Sequence, residues 1–254
     1  MKRMQVKKII VALGAVIICT LACQSERPPA KTAEDYYNSG VAKQKAGDLK
    51  GAIADYDMAI KLDPNYAAAY NNRGNAKRDL GYNKVAIADY DMAIKLDPNY
   101  AKAYINRGEA KWRLGDNQGA LLDYQHVIEI KGPKDSASKY SQLRIWIVKA
   151  RSGKIEEAKK EAKQSVESAP GEEWVDTILQ FYAGLIDDQA LLAAASSPDP
   201  PKDRERKCEA YFYLGEYYLA LGDKKLAQEC FQKCLDTGVT NFLEYQSAKW
   251  ELAS

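Results

Sequence analysis

The sequence predicts an all-α solenoid: helical hairpins stacked side by side into a superhelix, with a capping helix at the C-terminal end. Three observations predict it. The sixteen residues Ala52–Ala67, AIADYDMAIKLDPNYA, recur unchanged at Ala86–Ala101, 34 positions on. A unit of that length is one supersecondary element, and it buries its apolar face only by stacking on its neighbours. Each unit also carries a helix stop at position 15, a glycine, and the first two carry a second, Asp-Pro-Asn at positions 31 to 33, which Gly132-Pro133 replaces in the third. Finally, 254 residues with 46% apolar and 28% charged side chains are enough to bury a core and exclude a disordered chain.

The first 22 residues read as a secretory signal. Lys2, Arg3, Lys7 and Lys8 precede an uncharged run from Ile9 to Ala22, which is shorter than the roughly 20 apolar residues of a spanning helix. The run ends Thr20-Leu21-Ala22-Cys23. A cysteine directly after a small residue resembles a bacterial lipobox, with Cys23 as the acylated first residue. The usual Leu three places before the cysteine is Thr20 here. Ordinary cleavage after Ala22, giving a soluble periplasmic form, and an uncleaved anchor are the alternatives. Lipoprotein sorting, with Gln24 rather than Asp after the cysteine, implies an outer-membrane lipid anchor facing the periplasm. Removing residues 1–22 changes the formal charge from +2 to −2. Residues 23–32, with Pro28-Pro29, read as the lipidated N-terminus and a polar tether.

Residues 33–134 align without gaps as three repeats, Ala33–Tyr66, Ala67–Tyr100 and Ala101–Lys134. Position 4 holds Tyr36, Tyr70 and Tyr104; position 8 holds Gly40, Gly74 and Gly108; position 20 holds Ala52, Ala86 and Ala120; position 24 holds Tyr56, Tyr90 and Tyr124. Pro64 and Pro98 stand at position 32. This pattern resembles the tetratricopeptide repeat (TPR). Glycine at 8 and alanine at 20 let the two helices of a hairpin cross closely. Gly47, Gly81 and Gly115 follow the first helix, where a left-handed residue is needed. The tyrosines at 4 and 24 fill the core, Thr32 with Asp35 caps the first helix, and the charges are expected on solvated faces.

Residues 135–204 hold a degenerate repeat and extra helices. Gly153, Ala158 and Pro170 keep positions 15, 20 and 32, but Trp146 takes the place of the glycine at 8. Helices are expected over Glu173–Ala183 and Asp187–Ala195, then a proline-rich loop over Ser196–Arg204. Residues 205–254 hold a well-kept repeat, Cys208–Asn241, and a final amphipathic helix, Phe242–Leu252, expected to cover the apolar end of the stack. FYAGLIDDQALL (Phe181–Leu192), YFYLGEYYLALGD (Tyr211–Asp223) and NFLEYQSAKWEL (Asn241–Leu252), in this order, resemble the NlpI family of bacterial outer-membrane lipoproteins. That resemblance covers roughly Lys139–Leu252; residues 33–134 depart from it. It implies a homodimeric periplasmic adaptor, without catalysis of its own, that docks peptidoglycan hydrolases and a C-terminal-processing protease.

Catalytic and metal signals are weak. Ser136-Ala137-Ser138-Lys139 matches Ser-x-x-Lys, yet the accompanying Ser-Asp-Asn and Lys-Thr-Gly are absent, and the segment reads as a helix start. The one histidine, His126, falls at an outward position. Cys208, Cys230 and Cys234 lack a nearby histidine and leave a tetrahedral site one ligand short; buried thiols and a disulfide from Cys208 to Cys234 or Cys230 are the readings left open. No phosphate loop or dinucleotide fingerprint occurs. No cofactor and no catalytic residue is expected. With 37 basic and 35 acidic residues, no nucleic-acid footprint is present either.

The function expected is therefore binding of periplasmic proteins or peptides in the concave groove, which the first helix of each hairpin lines. Asn38, Asn71, Asn72, Asn75, Arg78, Lys102, Asn106, Glu109, Trp112 and Arg113 occupy groove positions. A side-chain amide pairs with a peptide backbone in either sense, and an exposed Trp112 beside Arg78 and Arg113 suits a carboxylate or an aromatic. Of the five positions of a carboxylate clamp, only Asn72 and Lys102 match. The rival reading is an oligomerisation subunit whose groove binds its own copies.

Overall fold

The computed structural model describes residues 31–240 and 242–253. The signal segment, Cys23 and the tether up to residue 30 lie outside the described residues. Among the described residues there are thirteen helices and no strand: α1 (Ala33–Lys45), α2 (Leu49–Leu62), α3 (Ala67–Asp79), α4 (Asn83–Leu96), α5 (Ala101–Arg113), α6 (Asn117–Lys131), α7 (Ser136–Arg151), α8 (Ile155–Ser168), α9 (Trp174–Tyr182), α10 (Asp188–Ala195), α11 (Pro200–Ala220), α12 (Lys224–Asp236) and α13 (Leu243–Ala253). Successive helices pair into antiparallel hairpins, and each hairpin packs on the next.

The starts and stops follow local chemistry. Thr32 and Asp35 form a reciprocal capping box on α1. Asp48 and Asp116 accept from the backbone N–H of Gly51 and Gly119 and cap α2 and α6. Gly47, Gly81 and Gly115 have φ of 82°, 87° and 82°, a region that a Cβ makes costly.

Within each hairpin the position-24 ring lies on the position-8 glycine. A Cβ built on Gly74 would stand 2.6 Å from Tyr90 Cε1, and Gly40–Tyr56, Gly108–Tyr124 and Gly215–Phe231 repeat the contact. The glycine therefore makes room for a ring, not for a backbone. The fourth hairpin exchanges the residue types: Trp146 stands at position 8 on α7 and Ala162, sixteen residues on, at position 24 on α8, both buried in one core. Trp146 stacks on Tyr182 of α9, with ring centroids 3.8 Å apart. The position-4 tyrosines fill less of the core than expected: Tyr36 and Tyr70 are half-exposed, and Tyr70 lies under the Arg73 guanidinium.

Three expectations need correction. The repeat charges are not all solvated. Arg73 bridges Asp57 of the preceding hairpin and the buried Asp89 of its own, and Arg107 does the same with Asp91 and Asp123. A guanidinium with several fixed donors suits such a bridge. The loop expected over Ser196–Arg204 ends early, because Pro200 and Pro201 open α11, where a missing N–H costs nothing. The C-terminal helix, finally, does not simply cap the end of the stack. It packs on α11 and α12 and reaches back to α5, more than 130 residues earlier.

Candidate protein-binding groove

Helices α1, α3, α5 and α7 follow one another along the inner face of the superhelix, and α11 packs against α7. On this face the polar side chains of the first three hairpins are joined. Asn72 donates to the Tyr37 hydroxyl (3.0 Å), Asn71 to Asn72 Oδ1 (3.1 Å), Asn106 to Asn71 Oδ1 (3.0 Å) and Arg78 to Asn106 Oδ1 (3.2 Å). The period builds this ladder: a position-6 amide in one hairpin meets position 5 of the hairpin before. Asn75 accepts from the Tyr90 hydroxyl.

These contacts change what the sequence-predicted residues can offer. Asn38 and Lys102 are exposed; Asn72, Asn75 and Asn106 are half-buried; Asn71, Arg78 and Glu109 are buried. Arg78 is also paired with Asp79. Trp112 is not the exposed tryptophan expected, and Arg113 is not free: both lie beneath α13. The Trp112 ring centroid is 5.7 Å from that of Trp250. Arg113 donates to Glu109 (2.9 Å) and to the Ser247 hydroxyl (3.2 Å).

Beneath α13 lies a buried charge cluster that local sequence reading missed. Arg144 of α7 donates to Glu244 (2.7 Å) and faces Glu109 at 3.6 Å. Arg151 donates to Glu251 (2.6 Å) and lies 3.4 Å from Glu216. Burial pushes the Glu109 carboxyl up, but Arg144, Arg113 and Arg78 outweigh it and hold it down at about 2. Glu216 goes the other way. Burial, with Glu251 beside it, pushes it up to about 8 against Arg151 and Arg144. The signal available in the sequence was the i, i+7 spacing of Glu244 and Glu251, but nothing local names arginines about 100 positions away as their partners.

The Glu216 shift makes a pH prediction. Its folded value lies above the ordinary 4.5, so the native state holds the proton longer than the unfolded chain. That contribution is full below pH 4.5 and is lost as pH rises towards 8. Urea unfolding followed by circular dichroism should show wild type losing stability between pH 5 and 8.5, with a smaller loss for Glu216→Gln. Parallel profiles would place Glu216 in water. The opposite shift of Glu109 acts only below pH 4.5, outside this window.

The remaining chemical candidates are engaged elsewhere. Lys139 Nζ lies 2.9 Å from Asp176, which raises its pKa and keeps it charged, and α7 is capped by Asp135 instead of Ser136. His126 is half-exposed, against Tyr104 and Glu129. Cys208 and Cys234 face each other across the last hairpin with sulfurs 3.3 Å apart, unbonded, and Cys230 is a separate buried thiol. Among the described residues no helix is long and apolar enough to cross a membrane.

Comparison with known families agrees with this geometry. The TPR repeat model matches residues 40–81 and 74–115, and tetratricopeptide repeat models match 101–133 and 208–237. A tetratricopeptide repeat protein from Parabacteroides merdae superposes with a TM-score of 0.55 at 20% identity, covering 92% of this chain and 88% of that one. MamA gives 0.48 at 21% identity over 87% of this chain and 97% of its own. The first TPR domain of Spaghetti (RPAP3), bound to an HSP90 peptide, gives 0.42 at 29% identity over 45% and 90%. The chain carries tetratricopeptide repeats, and its fold is the all-helical solenoid of such proteins, which generally serve as non-enzymatic scaffolds for protein–protein interaction.

Proposed function

We propose that this protein is a scaffold of the bacterial cell envelope, held to the outer membrane through an acylated Cys23, that captures periplasmic proteins on the concave face of its repeats. The NlpI-like motifs of the C-terminal half support the finer reading, a homodimeric adaptor that docks peptidoglycan hydrolases or a processing protease and has no catalysis of its own. The observation that carries the binding reading is the hydrogen-bonded ladder from Tyr37 to Arg78. A strip of polar groups already fixed by its own contacts loses little side-chain entropy when a ligand arrives, so more of the contact energy appears as affinity.

Affinity capture from detergent-solubilised envelopes, with mass spectrometry, tests this reading. The partner should be retained by wild type and lost or weakened at least tenfold by Asn72→Ala/Asn106→Ala with its helicity intact. Cys23→Ala should move the protein from the membrane to the soluble fraction, because a stable anchor needs several acyl chains. Wild-type capture by the groove variant would move the site to another face. An unmodified Cys23 amine in the intact mass of the mature protein would remove the lipid.

A further inference from the structure

From the third hairpin onward the concave face is already occupied, and the occupant displays what that face selects. Helix α13 turns one stripe inward: Glu244, Ser247, Ala248 and Glu251, at i, i+3, i+4 and i+7. Glu244 Oε1 accepts from Arg144 and from the Tyr213 hydroxyl (3.1 Å). The Ser247 hydroxyl donates to Glu109 (3.0 Å) and accepts from Arg113. Glu251 accepts from Arg151. Trp250 rests beside Trp112, with Arg113 5.5 Å above its ring.

Two features make this a docked ligand more than a core helix. Its three buried residues are Glu244, Ser247 and Ala248; Ala248, with Tyr245 and Leu252 beside it, joins the apolar core, while the two polar ones meet arginine and glutamate side chains of the groove, so charge pairing sets what the face selects. Such contacts supply specificity and register more than raw affinity. The helix also has only 11 residues, too few to be stable alone in water, so its helicity depends on the groove together with α11 and α12, on which it packs. Take it away, and Arg113, Arg144 and Arg151 are left facing the cleft with Glu109 among them.

We propose that this part of the groove is a receptor for an acidic amphipathic helix of a partner protein, with carboxylates seven residues apart and a tryptophan next to the second, and that α13 is the internal occupant which the partner displaces. Charge complementarity fixes the choice. Two carboxylates seven residues apart lie about 10.5 Å apart along a helix, and Arg144 and Arg151, themselves seven apart on α7, receive them one each. The inference rests on the scaffold reading and gives it a ligand chemistry.

The probe is a fluorescein-labelled peptide with the sequence of residues 242–253, added to the full-length chain. Glu244→Gln/Glu251→Gln loosens α13 and leaves the groove side intact. This variant should bind the peptide at least tenfold more tightly than wild type does. It should also bind it at least tenfold more tightly than a peptide carrying glutamine at both carboxylate positions. A folded variant that binds neither peptide, or both equally, overturns the proposal. If the variant loses its fold, hydrogen exchange on wild type replaces it: excess peptide should speed exchange at the α13 amides alone, and unchanged protection there overturns the proposal. Light scattering that shows α13 exchanged between two copies, reversed by the peptide, would assign the groove to a second copy and equally overturn it. A chain that refuses the peptide but still captures envelope proteins through Asn72 and Asn106 loses this inference and keeps the scaffold. One that takes the peptide but captures nothing keeps the receptor and loses the scaffold.

Discussion

Gly74→Leu should lower stability by about 1–3 kcal/mol or more, the usual cost of forcing extra atoms into a filled core. A Cβ at this position already stands 2.6 Å from Tyr90 Cε1, and Tyr90 is wholly buried with its hydroxyl tied to Asn75, so the ring has no open direction to move in. Replacing a helical glycine gains at most about 1 kcal/mol in propensity, which offsets only part of the loss. The fourth hairpin indicates the remedy. There the bulky member, Trp146, sits on the first helix and the small one, Ala162, on the second. In a double-mutant cycle, Gly74→Leu/Tyr90→Ala should therefore be more stable than the sum of the two single losses, with a coupling of about 1 kcal/mol or more. Lys95→Ala, at an exposed site, is the control and should change stability by less than about 0.5 kcal/mol. If Gly74→Leu melts with Lys95→Ala, the ring-on-glycine contact does not exist in solution.

The same residues show why so much of the architecture was legible in the sequence. A contact that recurs every 34 positions is written several times: Gly40 with Tyr56, Gly74 with Tyr90 and Gly108 with Tyr124 are all sixteen apart, and Gly215 with Phe231 keeps the same spacing. The left-handed turns needed glycine and had it. The arginine bridges were legible in principle as well, since Arg73 and Arg107 stand sixteen residues from an aspartate on either side; reading repeat charges as solvated hid them. Pro200 and Pro201 read as a loop because proline breaks most helices, but it is well placed in a first turn. The docking of α13 was a different kind of problem. Its charged partners sit 100 to 138 residues earlier, each pair occurs once, and a glutamate carries no local mark of which arginine it will meet. Exposure at Trp112 and Arg113 was inferred from position within the repeat, and a unique segment from elsewhere in the chain covers them.

Arg144→Met should be the most damaging single substitution at the groove, costing about 3–5 kcal/mol, the range found when one member of a buried ion pair is removed. Arg144 is buried, and so are its partners Glu109 and Glu244. It lies between Glu109 on α5 and Glu244 on α13, and its guanidinium also rests 5.0 Å from the Phe212 ring centroid. Methionine keeps much of the volume and none of the charge, so the loss reports electrostatics more than packing. Glu109 would keep Arg113, while Glu244 would keep only the Tyr213 hydroxyl. Neutralising that second carboxylate removes the orphaned charge, so Arg144→Met/Glu244→Gln should recover part of the loss. The acid limb should move with it. Glu109 is held at about 2 by its arginines, so its contribution is present above pH 4.5 and disappears as pH falls towards 2. Without Arg144 the folded value rises, and the stability lost on acidification becomes smaller. Tryptophan fluorescence follows the structural consequence, because α13 seats Trp250 against Trp112 and its release exposes both to water. A loss below about 1 kcal/mol, with unchanged tryptophan emission, would mean that these charges are hydrated and that α13 does not close the groove.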